Sequence, residues 1–130
     1  MPRFLLDTHV AVRWLIEPTK LSRDQIRVLE GALCRTEPVA LSAISLLEVA
    51  VLTSGGRLTV SLNQIFDELQ GSAVFHILPL TDKVAAEAAS LGNLRDPADR
   101  AIVATARVHR LSLVTSDQRI IESKLVAVVA

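Results

Sequence analysis

Five short apolar runs, at residues 3–6, 39–41, 75–80, 111–114 and 125–129, set the limits on what this chain can fold into. Each is too short for a helix and long enough for a buried strand. Between them lie longer stretches whose apolar residues recur every three or four positions, the spacing of one helix face. Strands alternating with helices predict an α/β fold in which short connections and right-handed crossovers give a parallel sheet covered by helices on both faces. Composition agrees. Half of the 130 residues are hydrophobic but only 3% are aromatic, so Leu, Val, Ile and Ala must build the core, as parallel sheets favour. The length suits one domain, residues 1–130, with a central five-stranded parallel sheet.

The helices carry their own punctuation. Residues 8–17 follow the first run, with Val10, Ala11, Trp14 and Leu15 on one face and Pro18 as the stop. Trp14 is therefore expected in the core. Ser22 caps a helix over 22–33, and residues 42–53 form a third that ends at Gly55-Gly56. Residues 57–60 connect it to a short helix over 61–70. Thr81-Asp82 opens a helix running to about Leu91, and Asp96-Pro97 opens another, with Asp at the cap and Pro at the first helical position. A last short helix lies between Asp117 and Glu122. His9 reads as a surface or capping residue and His76 as structural.

The acids are harder to dismiss. Asp7 and Asp117 each follow a predicted strand, where a helix cap is the ordinary explanation. Asp99 falls in the first turn after Asp96-Pro97, where the helix dipole favours an acid. Glu48 has neither explanation, because it sits in the middle of the apolar stretch ISLLEVAVL. It lies either on a narrow wet stripe with Ser45 or in a polar pocket. In open parallel sheets ligands bind beyond the carboxyl ends of the strands, and this topology sends all of these acids towards that rim. Carboxylates crowd together only when a cation offsets their repulsion or one of them protonates. An all-oxygen cluster suits a hard divalent ion, Mg²⁺ or Mn²⁺, and the natural chemistry is phosphodiester hydrolysis. The strands of Asp7 and Asp117 are thus expected side by side, with Glu48 and Asp99 on the same cleft and oxygens of all four within reach of one or two shared cations.

Other classes find less support. Cys34 is the only cysteine, which excludes an internal disulfide and a CxxC metal site. No glycine-rich phosphate loop is present. Fourteen basic residues balance fourteen acidic ones, so a nucleic-acid ligand would have to be met by local charge and not by a global basic field. The most apolar stretch, 38–56, holds Glu48, three serines and a Gly pair, which argues against a membrane span. The chain is expected to be cytoplasmic. A phosphate-transfer receiver domain also gathers acids at a sheet rim, but the third run here has no acceptor Asp at its end, and the only late Lys is Lys124.

Taken together, LLDTHV with Asp7, LSAISLLEVA with Glu48, DPADRAIVATA with Asp99 and LVTSD with Thr115 and Asp117 resemble the PIN-domain family. The resemblance is to its VapC-like ribonuclease toxins of VapBC toxin–antitoxin pairs, and it spans residues 3–129. It implies a metal-dependent endoribonuclease in which Asp7, Glu48, Asp99 and Asp117 are the catalytic, Mg²⁺- or Mn²⁺-holding residues. Asp96 takes an accessory or capping role, and Thr115 hydrogen-bonds a metal ligand or bound water. Arg13 and Arg95 are the expected substrate contacts, since the guanidinium fork suits phosphate. The implied partners are RNA, a cognate VapB-like antitoxin and a second copy of the chain in a homodimer. Leu52, Leu94 and Ala98 stand where such proteins often carry Lys, His and Phe. The alternative is a PIN-fold module that binds RNA or protein without cutting.

Overall fold

The computed structural model describes residues 2–58 and 60–130; Thr59, in the connector expected over 57–60, lies outside them, as does Met1. The elements follow the order β1 (Phe4–Leu6), α1 (Thr8–Ile16), a 3₁₀ turn (Pro18–Lys20), α2 (Arg23–Arg35), β2 (Val39–Ser42), α3 (Ala43–Ser54) and α4 (Leu62–Gly71). Then come β3 (Phe75–Leu78), α5 (Asp82–Ala89), α6 (Pro97–His109), β4 (Ser112–Val114), α7 (Gln118–Ser123) and β5 (Val128–Val129). All five strands are parallel, in the spatial order β3-β2-β1-β4-β5.

Every strand is so short that its side chains divide cleanly between two cores. Leu6, Val39, Leu41 and Val114 point to one face and meet Val10 and Ala11 of α1, Leu29 and Ala32 of α2, Val49 of α3 and Ile65 and Leu69 of α4. Leu5, Ala40 and Leu113 point to the other and meet Val84 of α5, Ile102, Val103, Ala104 and Ala106 of α6, and Ile120 of α7. The period-two alternation of a strand thus sorts Leu5 from Leu6 and sandwiches the sheet between two helical layers. Leu5, Leu6, Leu41, Ile102, Leu113 and Ile120 are completely enclosed, each burial contributing about 1.5–3 kcal/mol. Trp14 is half-buried and packs against the first core, as expected.

Element ends depart from the sequence reading where local chemistry overrides pattern. The third strand stops at Leu78 because Pro79 cannot donate to the ladder. It is also an edge strand with His76 exposed, so His76 is a surface residue and not a structural one. The last strand shortens to Val128–Val129, since Lys124 turns left-handed at φ 56° and residues 125–127 serve to bring the chain back to the sheet. Helix α2 runs past Leu33 to Arg35 and ends at Thr36, which, like Arg110 after α6, takes the left-handed cap conformation that glycine usually fills. Among the described residues, no helix is long and apolar enough to cross a membrane.

The strand order decides where a ligand can enter. From β1 the chain winds outward through β2 to β3, then crosses back to place β4 and β5 on the other side. The connections leaving β1 and β4 therefore diverge over opposite faces, opening a crevice beyond the carboxyl ends of these adjacent strands. Asp7 and Asp117 lie just past those ends, and Leu6 is paired with Val114.

Candidate active site

Asp7 is the anchor of the crevice. Its backbone N–H donates to Val114 O at 3.0 Å, holding it at the end of the β1–β4 ladder. The side chain is 4% exposed; Oδ1 accepts the Thr8 N–H at 2.8 Å as the cap of α1, and Oδ2 accepts the Thr115 hydroxyl at 2.7 Å. Thr115 Oγ1 in turn accepts the Asp117 N–H at 3.0 Å. One buried hydroxyl thereby ties the first acid to the turn that carries the last. Asp117 caps α7, accepting the Arg119 N–H at 2.9 Å.

Glu48 reaches the crevice from the second turn of α3. Thr8 Oγ1 lies within hydrogen-bond distance of Glu48 Oε1 and, at 2.8 Å, of Ser45 Oγ. With one proton to give, Thr8 donates to the carboxylate and receives the Ser45 hydroxyl. The mid-helix acid therefore occupies a polar pocket and not a solvated stripe. Asp99 enters from the first turn of α6, behind Asp96, which caps that helix by accepting the Ala98 N–H at 2.8 Å. Asp7, Glu48, Asp99 and Asp117 together line one cleft of about 420 Å³, with Ile44, Leu47, Val51, Leu52 and Ala98 as its apolar wall. Asp96 and Arg95 stand on an adjoining groove of about 190 Å³ that shares Asp99. Arg13 does not line the cleft; it sits one turn beyond His9 on α1, half-buried. A larger cavity, about 600 Å³, lies between the end of α1 and α4, but it gathers only Asp67 and Glu68 as ionisable groups.

The charges in the cleft strain against each other. Burial pushes the Asp99 carboxyl up to about 6, reinforced by Asp96, Asp7 and Asp117 and opposed by Arg119. Glu48 is raised as well, by burial first, then by the neighbouring Asp7 and Asp96, against the hydrogen bond from Thr8. Asp117 moves the other way: burial raises it, but the side-chain and backbone hydrogen bonds from Arg119 outweigh that and leave it lowered.

Two residues of the site were not singled out from the sequence. His9, expected at the surface or as a cap, belongs to the cleft. Its Nε2 accepts the Ser116 N–H at 2.9 Å, and Nδ1 is 3.5 Å from Asp7 Oδ2. Burial lowers its pKa despite Asp7, so at neutral pH the ring is uncharged, with its proton on Nδ1. Arg119 lays its guanidinium against Asp117 and Asp99, 3.3 Å and 3.7 Å from their Oδ2 atoms. Both residues stand two positions after a capping aspartate. Once Asp7 and Asp117 are recognised as caps at the rim, the second residue of each helix is the one to examine.

The donor set is oxygen throughout, with too much negative charge for its degree of burial, which matches a hard divalent cation. Among the described residues, no three carboxylate, imidazole or thiol groups already stand as a ligand set around one point. As they stand, the four acids make their contacts with groups of the protein itself. Asp7 is held by Thr8 and Thr115, Glu48 by Thr8, and Asp99 and Asp117 share Arg119, a cation supplied by the chain itself.

A parallel sheet of order β3-β2-β1-β4-β5, with acids arriving from β1, α3, α6 and β4 at its carboxyl rim, defines a class that the family comparison makes explicit. The PIN-domain pattern matches residues 4–124, and the chain belongs to that family. It is 36% identical over 122 residues to Ribonuclease VapC22 of Mycobacterium tuberculosis, covering 92% of this chain and 91% of that protein. Among solved structures, FitAcB from Neisseria gonorrhoeae is 30% identical, with a TM-score of 0.68 over 98% of this chain and 96% of its own. The crystal structure of VapBC2 from Rickettsia felis bound to a promoter DNA fragment superposes with a TM-score of 0.71, over 97% of this chain and 96% of that one. At 18% identity this last likeness speaks to the fold alone.

Proposed function

We propose that this chain is a divalent-metal-dependent endoribonuclease and the toxin of a toxin–antitoxin pair. The observation that carries the reading is the convergence of Asp7, Glu48, Asp99 and Asp117 from four separate elements on one cleft. The name of the mycobacterial relative, Ribonuclease VapC22, supports RNA as the substrate, and the likeness to a VapC protein supports a VapB-like antitoxin as the partner. Asp7, Glu48, Asp99 and Asp117 would hold Mg²⁺ or Mn²⁺. Such an ion, when bound, lowers the pKa of water and offsets charge on a phosphodiester.

The chain's own residues prepare that site. Thr115 holds Asp7 in one rotamer and fixes the Asp117 turn, while Thr8 and Ser45 do the same for Glu48. Asp96 caps α6 and so aims Asp99 at the cleft. Arg95, exposed on the adjoining groove, would meet an RNA phosphate. Arg13, beyond His9, is a more distant contact for the same strand. A cation from the antitoxin, seated near Asp7 and Asp99, would hold the activity off in a cytoplasmic complex, with the toxin as a homodimer.

The test is RNA cleavage by the purified chain with Mg²⁺ or Mn²⁺, with EDTA, and with Asp99→Asn, which keeps size but removes a charge. Cleavage is expected only from wild type with metal. Equal cleavage by wild type and Asp99→Asn exposes a contaminating nuclease and favours the non-cleaving module.

A further inference from the structure

Arg119 has no place in the reading above, yet it contacts two of the four acids of the cleft. Its Nε donates to Asp117 Oδ1 at 3.4 Å and its Nη2 to Asp117 Oδ2 at 3.3 Å, while the same Nη2 stands 3.7 Å from Asp99 Oδ2. Among the described residues, the cationic or imidazole groups within ion-pair distance of the four acids are Arg119 and His9, and His9 stands within that distance of Asp7 alone. The nearby Arg100 is committed elsewhere, to the backbone oxygens of Leu94 and Gly92. Local structure does not ask for an arginine here. Position 119 lies in the first turn of α7, the end of a helix that disfavours a positive charge. What holds the guanidinium in place is the pair of carboxylates, and its side chain is 76% exposed, free to leave.

We propose that Arg119 is a positioning residue that acts as a tethered cation: it holds Asp99 and Asp117 together in the metal-free protein and competes with the divalent ion for them. The inference rests on the metal-site reading above. Two positive groups cannot share these oxygens at full strength, because the guanidinium and the ion seek the same lone pairs and repel each other. Loading therefore requires Arg119 to swing out. Arg119 then sets the metal concentration at which the cluster fills, and its absence leaves Asp99 and Asp117 repelling each other until an ion arrives.

The test is a calorimetric titration of Mn²⁺ into the EDTA-treated, dialysed full chain, as wild type, Arg119→Gln, Asp99→Asn and the double variant. Arg27→Gln, which removes an exposed arginine paired with Asp24 on α2, controls for overall charge. Arg119→Gln is expected to bind Mn²⁺ about three- to tenfold tighter, the modest effect that exposed ion pairs exert. Arg27→Gln should match wild type. The gain should shrink when Asp99→Asn is also present, as coupled neighbours require. Thermal unfolding gives a second readout: Arg119→Gln should melt below wild type in EDTA and show the larger rise with Mn²⁺. Equal or weaker Mn²⁺ binding by Arg119→Gln, or an equal gain from Arg27→Gln, overturns the proposal and leaves the metal site standing. No Mn²⁺ binding by any of the proteins overturns both.

Discussion

Asp99→Asn should make the metal-free protein more stable while making it inactive. The Asp99 carboxyl is raised from 3.8 to about 6, so the folded state holds its proton more tightly than the unfolded chain does. Stability is then lost as pH rises from about 4 through 6, because the unfolded state binds fewer protons across that range. The distance between those values sets a ceiling of ~3 kcal/mol on the penalty at neutral pH. The side chain keeps 18% of its surface exposed in an open cleft, and water screening reduces the penalty to about half. The charge also favours the N-terminus of α6, by roughly 0.5 kcal/mol in the opposite sense. A net gain of about 1 kcal/mol remains for Asn, a rise of roughly 3–5 °C in Tm for a domain of this size. The assay is thermal unfolding followed by circular dichroism in EDTA at pH 7.5 and pH 4. The gain should be present at the first and nearly absent at the second, where wild type is already protonated. Saturating Mn²⁺ should reverse the order, since only wild type binds the ion well. A variant less stable than wild type at pH 7.5 in EDTA, or equally stabilised at both pH values, refutes the account of a repulsive cluster.

Further outcomes can be set beside it. Asp96→Ala should cost about 1 kcal/mol in chemical denaturation through loss of the α6 cap, whereas Asp96→Asn, itself a good cap, should be close to neutral and retain most RNase activity. Thr115→Val strands Asp7 Oδ2 and the Asp117 N–H together, so a loss of about 1–3 kcal/mol in urea unfolding is expected along with weaker Mn²⁺ binding. Ile102→Ala, in the wholly enclosed stripe of α6, should cost about 2–5 kcal/mol by the same measurement without altering the metal response of the folded fraction. Co-expression with the neighbouring gene should yield a complex inactive on RNA. Truncating the partner's cleft-facing basic residue to Ala should weaken binding at least roughly tenfold, as a buried charge pair costs about 2–5 kcal/mol to break. Recovery of the chain alone, harmless on expression, would count against the toxin assignment.

Much of this protein was legible in its residues. The apolar runs before Asp7 and Asp117 announce buried parallel strands because no short polar segment could lie between two helical layers. Asp96-Pro97 marks the start of α6 to the residue, since cap and proline chemistry are strictly local. Asp7, Asp96 and Asp117 turn out to be helix caps as well as neighbours of the cleft. The ordinary explanation and the functional one are therefore not rivals: a capping aspartate at the carboxyl end of a strand is held by its helix with an oxygen near the crevice. What the chain order could not decide were contacts between residues far apart in sequence. Whether Glu48 met water or a pocket depended on Thr8, forty positions earlier. The place of His9 depended on Ser116, and the bond between Thr115 and Asp7 spans 108 positions. Along the chain Arg119 is one of eleven arginines, and only the approach of α6 and α7 brings Asp99 to it. Patterns of period and capping act over a few residues and are written along the chain. The electrostatics of a cleft are sums over neighbours that only the pairing of β1 with β4 brings together.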